Sequence, residues 1–135
     1  MTDFSDNVDG VIREVLDADP SVRLAYLFGS MARGTAGPLS DIDIGVVFSG
    51  GDTALGTLED RLVERLRTDR VDLVSLAAAP VPLRYRVVRD GRLLLSRDEV
   101  LRERFEVDTI RRYLDFKPLR DGAFALVRDA ILRES

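Results

Sequence analysis

An α/β or α+β fold is what this sequence predicts, on two observations: three short apolar runs that read as strands, and segments of helical period that separate them. The runs fall at 22–28, 41–48 and 71–76. A chain of 135 residues, 45% of them hydrophobic, is read as one domain that buries about two thirds of its unfolded surface. Within it, 1–96 make the sheet core and 97–135 a C-terminal helical segment.

Val8, Val11, Ile12, Val15 and Leu16 follow helical spacing and stop at Pro20, which predicts an amphipathic helix over 5–18. VRLAYLF is the first strand, broken by Gly29 and Ser30. Gly34, Gly37 and Pro38 then allow no more than a short helical turn. DIDIGVVF is the second strand, closed by Ser49, Gly50, Gly51 and Asp52. Leu55, Leu58, Leu62 and Leu66 line a helix, and VDLVSL is the third strand.

In PVPLRYRVVRDG the prolines suit a first helical turn and the glycine a C-cap, so 82–90 reads as a short helix. RLLLS, 92–96, is a candidate edge strand. A long helix runs from Asp98 to about Phe116, bounded by Pro118, and a further helix is expected over 120–133. On the long helix Val100, Val107, Ile110 and Leu114 make one stripe, expected to pack on the sheet. Leu101 and Phe105 would then be exposed or shared, beside Arg102, Arg104, Arg111 and Arg112, as part of a partner surface. The alternative is a wide stripe packed under the helix that follows.

Composition excludes several chemistries. With no Cys and no His there are no disulfides, no nitrogen or sulfur zinc ligands and no Ser-His-Asp or Cys-His catalysis. Any metal is expected to be hard and oxygen-bound. No apolar stretch of about 18 residues and no signal-peptide pattern appears, so no membrane contact and a cytoplasmic location are expected. A net charge of -4 argues against direct nucleic-acid binding. Residues 1–83 carry 7 Lys+Arg against 14 Asp+Glu, and residues 84–135 carry 13 against 10. Solvated helix faces alone would produce that asymmetry.

The second strand raises a problem, because Asp41 and Asp43 interrupt an apolar run. An ionised carboxylate away from water costs several kcal/mol or more unless it is paired, hydrogen-bonded or metal-bound. Strand alternation points both to one face with Cα atoms about 6.5 to 7 Å apart. Two such carboxylates can flank a pair of divalent ions, which sit about 3.5 to 4 Å apart in two-metal sites. Asp72 is a third carboxylate among apolar strand residues. D-x-D alone is weak evidence, since an acidic pair at a wet strand end is common.

Gly29 and Ser30 offer backbone N–H groups, a hydroxyl and close approach for a phosphate chain, although most such dipeptides are ordinary turns. GSMARGTA is not a P-loop, because Thr35 stands where the lysine belongs. An EF-hand counted from Asp41 fails as well: Gly45 falls on an acidic ligand position and Val46 on the required glycine.

Together, Gly-Ser, ten residues, D-x-D and an aspartate in a neighbouring strand resemble the signature of the nucleotidyltransferase superfamily that includes DNA polymerase beta. The stretch GSMARGTAGPLSDIDIGV resembles, more narrowly, the minimal nucleotidyltransferase (MNT) antitoxins. VDLVSLAAAPVPLRYRVVRDGRLLL and FEVDTIRRYLDFKPL are similar to later segments of the same proteins, so the resemblance covers most of the chain.

That resemblance implies a nucleotidyltransferase fold, a small mixed sheet flanked by helices, and transfer of AMP from ATP. It implies that Asp41 and Asp43 hold two Mg²⁺ ions, and that Asp72 completes the second metal site and helps take the acceptor's proton. Gly29 backbone and the Ser30 hydroxyl would cradle the β- and γ-phosphates. Arg33 would neutralise the departing pyrophosphate, or pair with a nearby aspartate. Ser40 would cap or orient the Asp41 backbone. The implied partner is a HEPN-domain ribonuclease toxin, modified on a tyrosine. Two other readings stand beside this one: a nucleotidyltransferase acting on a small molecule, for which 135 residues leave little room, and an antitoxin that works by contact alone.

Overall fold

The computed structural model describes residues 4–33 and 41–115. In chain order the elements are α1 (Phe4–Asp17), β1 (Val22–Phe28), α2 (Ser30–Arg33), β2 (Ile42–Phe48), α3 (Leu55–Leu66), β3 (Val71–Ser75), α4 (Val81–Asp90) and β4 (Arg92–Ser96). The last of the described helices, α5, covers 99–115. The boundary at Pro118 and the helix expected over 120–133 lie outside the described residues.

The four strands form one mixed sheet in the order β3-β2-β1-β4. β1 pairs antiparallel with both β2 and β4, while β2 and β3 run parallel and are joined by α3. A parallel neighbour requires such a crossover, because a tight hairpin cannot return the chain in the same direction. RLLLS is an edge strand, as its sequence predicts.

Each sheet face has its own core. On the first, Ile42, Ile44, Val46 and Phe48 of β2 meet Ile12 and Leu16 of α1 and Leu58 and Leu62 of α3. On the second, Leu24 and Tyr26 of β1 meet Val87 of α4 and Phe105 of α5. Coverage on both sides explains why β1 is almost wholly apolar. Tyr85 of α4 stacks on Tyr113 of α5, centroids 3.7 Å apart, and ties the two covering helices together.

The facing of α5 needs correction. Phe105 is buried against Tyr26, and Leu101 packs beside it, whereas Val100, Val107, Ile110 and Leu114 face outward. The helix is therefore turned half a rotation from the orientation its aliphatic stripe suggests. A buried aromatic contributes more contact area than a valine, and Phe105 packs in one cluster with Tyr26 and with Val87 of α4, its ring centroid 6.3 Å from that of Tyr26. Gly91 is the C-cap of α4, as expected, with φ −73° and its N–H donated to the Val87 carbonyl. Its role is close approach: a Cβ there would overlap the Val87 carbonyl oxygen and crowd that of Leu27 at 3.2 Å.

Candidate active site

β1 ends where β2 and β3 begin, and this end of the sheet collects the candidate residues. Asp43 lies opposite Phe28 of β1 on one side and opposite Asp72 of β3 on the other. Its flanking residues Ile42 and Ile44 point into the first core, and so do Val71 and Leu73 around Asp72. Alternation therefore turns both carboxylates to the second face. The fold builds this pair from residues 29 positions apart by laying β3 parallel to β2.

Their solvation corrects the premise that these aspartates are buried. Asp72 is exposed, Asp43 half-buried, and Asp41 stands just before β2 with its side chain 69% exposed. The apolar pattern belongs to the other face. At this end the second face is open to water, so the aspartates bear little of the desolvation cost that a closed core would impose.

Gly29 joins the site from β1. Its φ of +73° is left-handed, a conformation that L side chains rarely adopt, and a Cβ on it would overlap Asp43 Oδ2. Glycine is thus required twice, by conformation and by the carboxylate tucked against its backbone. Ser30 follows as the first residue of α2 and is half-buried. Arg33 closes α2, but its side chain, like the whole of Ser40, lies outside the described residues.

One residue at the site escaped the sequence reading. The parallel register sets Ile42 beside Val71, and so Asp41 beside Arg70, whose Nη1 is 3.8 Å from Asp41 Oδ1. The Arg70 carbonyl also accepts the Ile42 N–H at 2.8 Å. A basic residue just before VDLV is the only signal, and it has meaning only once the register is known. Among the described residues no three carboxylates converge into a ready-made cation cage. Asp43 and Asp72 form the paired part, with Asp41 drawn towards Arg70.

The model of the family described as "Polymerase beta, Nucleotidyltransferase" matches residues 11–100, from α1 through β4 and into α5. The chain belongs to the polymerase beta nucleotidyltransferase family. The protein adenylyltransferase MntA of Shewanella oneidensis is 37% identical over 111 residues, which cover 79% of this chain and 77% of MntA. A solved toxin–antitoxin structure with AMP-PNP superposes with a TM-score of 0.73 at 34% identity, covering 89% of this chain and 98% of the other. Another, the MNT antitoxin bound to the tri-AMPylated HEPN toxin of Shewanella oneidensis, gives 0.70 at 30% identity, with 93% and 99% covered. The nucleotidyltransferase fold expected from the sequence is the fold observed. Among the described residues no helix is long and apolar enough to cross a membrane.

Proposed function

We propose that this nucleotidyltransferase is a cytoplasmic antitoxin that transfers AMP from ATP to a tyrosine hydroxyl of a HEPN ribonuclease toxin and thereby neutralises it. The observation that carries the proposal is the side-by-side placement of Asp43 and Asp72 on an open sheet face, against the Cβ-free backbone of Gly29. The relatives' activity and their complexes with HEPN toxin and AMP-PNP support the substrate and partner.

Donor chemistry suits Mg²⁺: among the described residues the site offers carboxylate oxygens, two of them paired in register and a third one residue before the strand. Asp41 and Asp43 would hold the ions, with Asp72 sharing one. Bound there, the metals would neutralise the triphosphate and make the acceptor hydroxyl more acidic. Gly29 leaves room for phosphate oxygens to approach backbone N–H groups, and the Ser30 hydroxyl donates to them. Asp72 Oδ, exposed to solvent, receives the tyrosine proton as the phenolic oxygen attacks the α-phosphorus and pyrophosphate leaves.

The test is incubation of the chain with labelled ATP, Mg²⁺ and a HEPN toxin, followed by mapping of the label. AMP on a toxin tyrosine, lost when Mg²⁺ is chelated, is the expected result. Suppression of the ribonuclease by an Asp43→Asn protein, with no label transferred by the wild type, would instead establish neutralisation by contact alone.

A further inference from the structure

Helix α5 has two apolar sides, and the described residues pack against one. Leu101 and Phe105 pack inward with the buried Thr109. Val100, Val107, Ile110 and Leu114 lie about half a turn away, 59%, 43%, 39% and 56% exposed. Their spacing of seven, with Ile110 three beyond Val107, is the seam by which one helix packs on another. Glu103 sits in the same seam between Val100 and Val107, and a single charge in such a row fixes register.

Beside the seam runs a groove of about 850 Å³, lined by Val47 and Ala77 and by Arg84, Arg104 and Arg111. Asp98, Glu103 and Asp108 line it too, Asp98 being paired with Arg23 and Asp108 with Arg84 and Arg112. Arg84 is engaged, lying over the Phe105 ring and 4.0 Å from Asp108. Arg104 and Arg111 have no ion-pair partner among the described residues. An apolar row flanked on one side by two uncommitted guanidinium groups complements an amphipathic helix with an aliphatic seam and an acidic flank. An antiparallel second copy would instead set these arginines against each other.

Position selects the owner of that helix. Val47 is on the same face of β2 as Asp43 and four residues further along, about 13 Å away. A protein seated in the groove therefore stands on the face from which an acceptor must reach Asp72. We infer that the outward seam of α5 and its arginine-lined groove seat an acidic-flanked amphipathic helix of the acceptor protein. This rests on the proposed function and adds where the toxin docks.

The test is a Val107→Glu/Ile110→Glu chain against a HEPN toxin that the wild type binds, with affinity by calorimetry, label transfer from ATP, ATP affinity, thermal midpoint and sedimentation mass. Toxin affinity is expected to fall by about 100-fold. The KM for toxin should rise with kcat held, while ATP affinity and midpoint stay at wild-type values. Arg104→Glu/Arg111→Glu should cost about tenfold and flatten the salt dependence of binding. Unchanged toxin affinity would overturn the inference. So would a lowered midpoint, which would mean that residues 116–135 cover the seam, or a dimer turned monomer, which would mean a second copy does. If the wild type neither binds nor labels any HEPN toxin, the functional reading fails and this surface with it. If wild type and variant label it with equal KM, the docking surface alone is wrong.

Discussion

The two faces of the sheet divide the labour of the molecule. Along β2 the first face reads Ile42, Ile44, Val46, Phe48, all buried against α1 and α3. Across the same strand the second face reads Asp43, Gly45, Val47: a carboxylate at the open end and apolar contact only where α4 and α5 arrive. One face is closed from end to end, and the other is left open where the chemistry would occur. Stability and activity should therefore separate within a single strand, between residues one position apart.

Ile44→Ala and Asp43→Asn test that separation most severely. Ile44 is fully buried, and truncating it removes contacts and leaves a cavity, at a cost of about 2 to 5 kcal/mol of folding stability. Below its lowered unfolding midpoint the variant should transfer AMP at close to the wild-type rate. Asp43→Asn keeps shape and volume on an open face, so denaturation should hardly change. Transfer should fall at least about 100-fold, or 2.7 kcal/mol of transition-state stabilisation. An Asp43→Asn protein with nearly wild-type rate would dismiss the proposed metal role, and one that unfolds would dismiss the division between faces.

A smaller effect sharpens the same boundary at the end of β1. Gly29→Val must force a left-handed backbone angle on a β-branched residue and push Asp43 aside. Ser30→Ala removes one hydroxyl and no volume. ATP affinity should therefore fall much further in Gly29→Val than in Ser30→Ala, and titration with a fluorescent ATP analogue in Mg²⁺ reads the order directly. Tight ATP binding by Gly29→Val would make Gly29-Ser30 an ordinary turn.

Most of the elements were legible because alternation and helical period are local. VRLAYLF and RLLLS fall on strands with the predicted bounds, and Leu55 and Leu66 mark both ends of α3. What local pattern does not carry is direction. α5 holds apolar residues on two sides, and periodicity identifies both stripes without saying which one meets the sheet; packing of Phe105 on Tyr26 marks the side that does. Pairing is equally nonlocal. That Asp72 lies beside Asp43, and Arg70 beside Asp41, follows from the parallel register of β2 and β3, which no window of either strand contains. The candidate site was thus readable as residue types, and its solvation was not, because one apolar run concealed two faces of different character.

The smallest predicted effect lies where the second face is closed. Tyr26 is buried on β1, and its hydroxyl donates to Glu106 of α5, which Arg102 also contacts. Burial first, and then the bond to the Glu106 carboxylate, hold the phenol well above its usual range. A group whose pKa is raised on folding contributes stability that is fully present below its unfolded value, about 10 for tyrosine, and lost as pH rises beyond it. Tyr26→Phe keeps the ring against Phe105 and removes only the hydrogen bond, so at pH 7 it should cost about 1 to 2 kcal/mol. Urea titrations between pH 7 and 11 would show the wild type losing stability above pH 10 more steeply than the variant, so that the two curves converge. Parallel curves across that range would mean that the Tyr26–Glu106 bond does not hold α5 to the sheet.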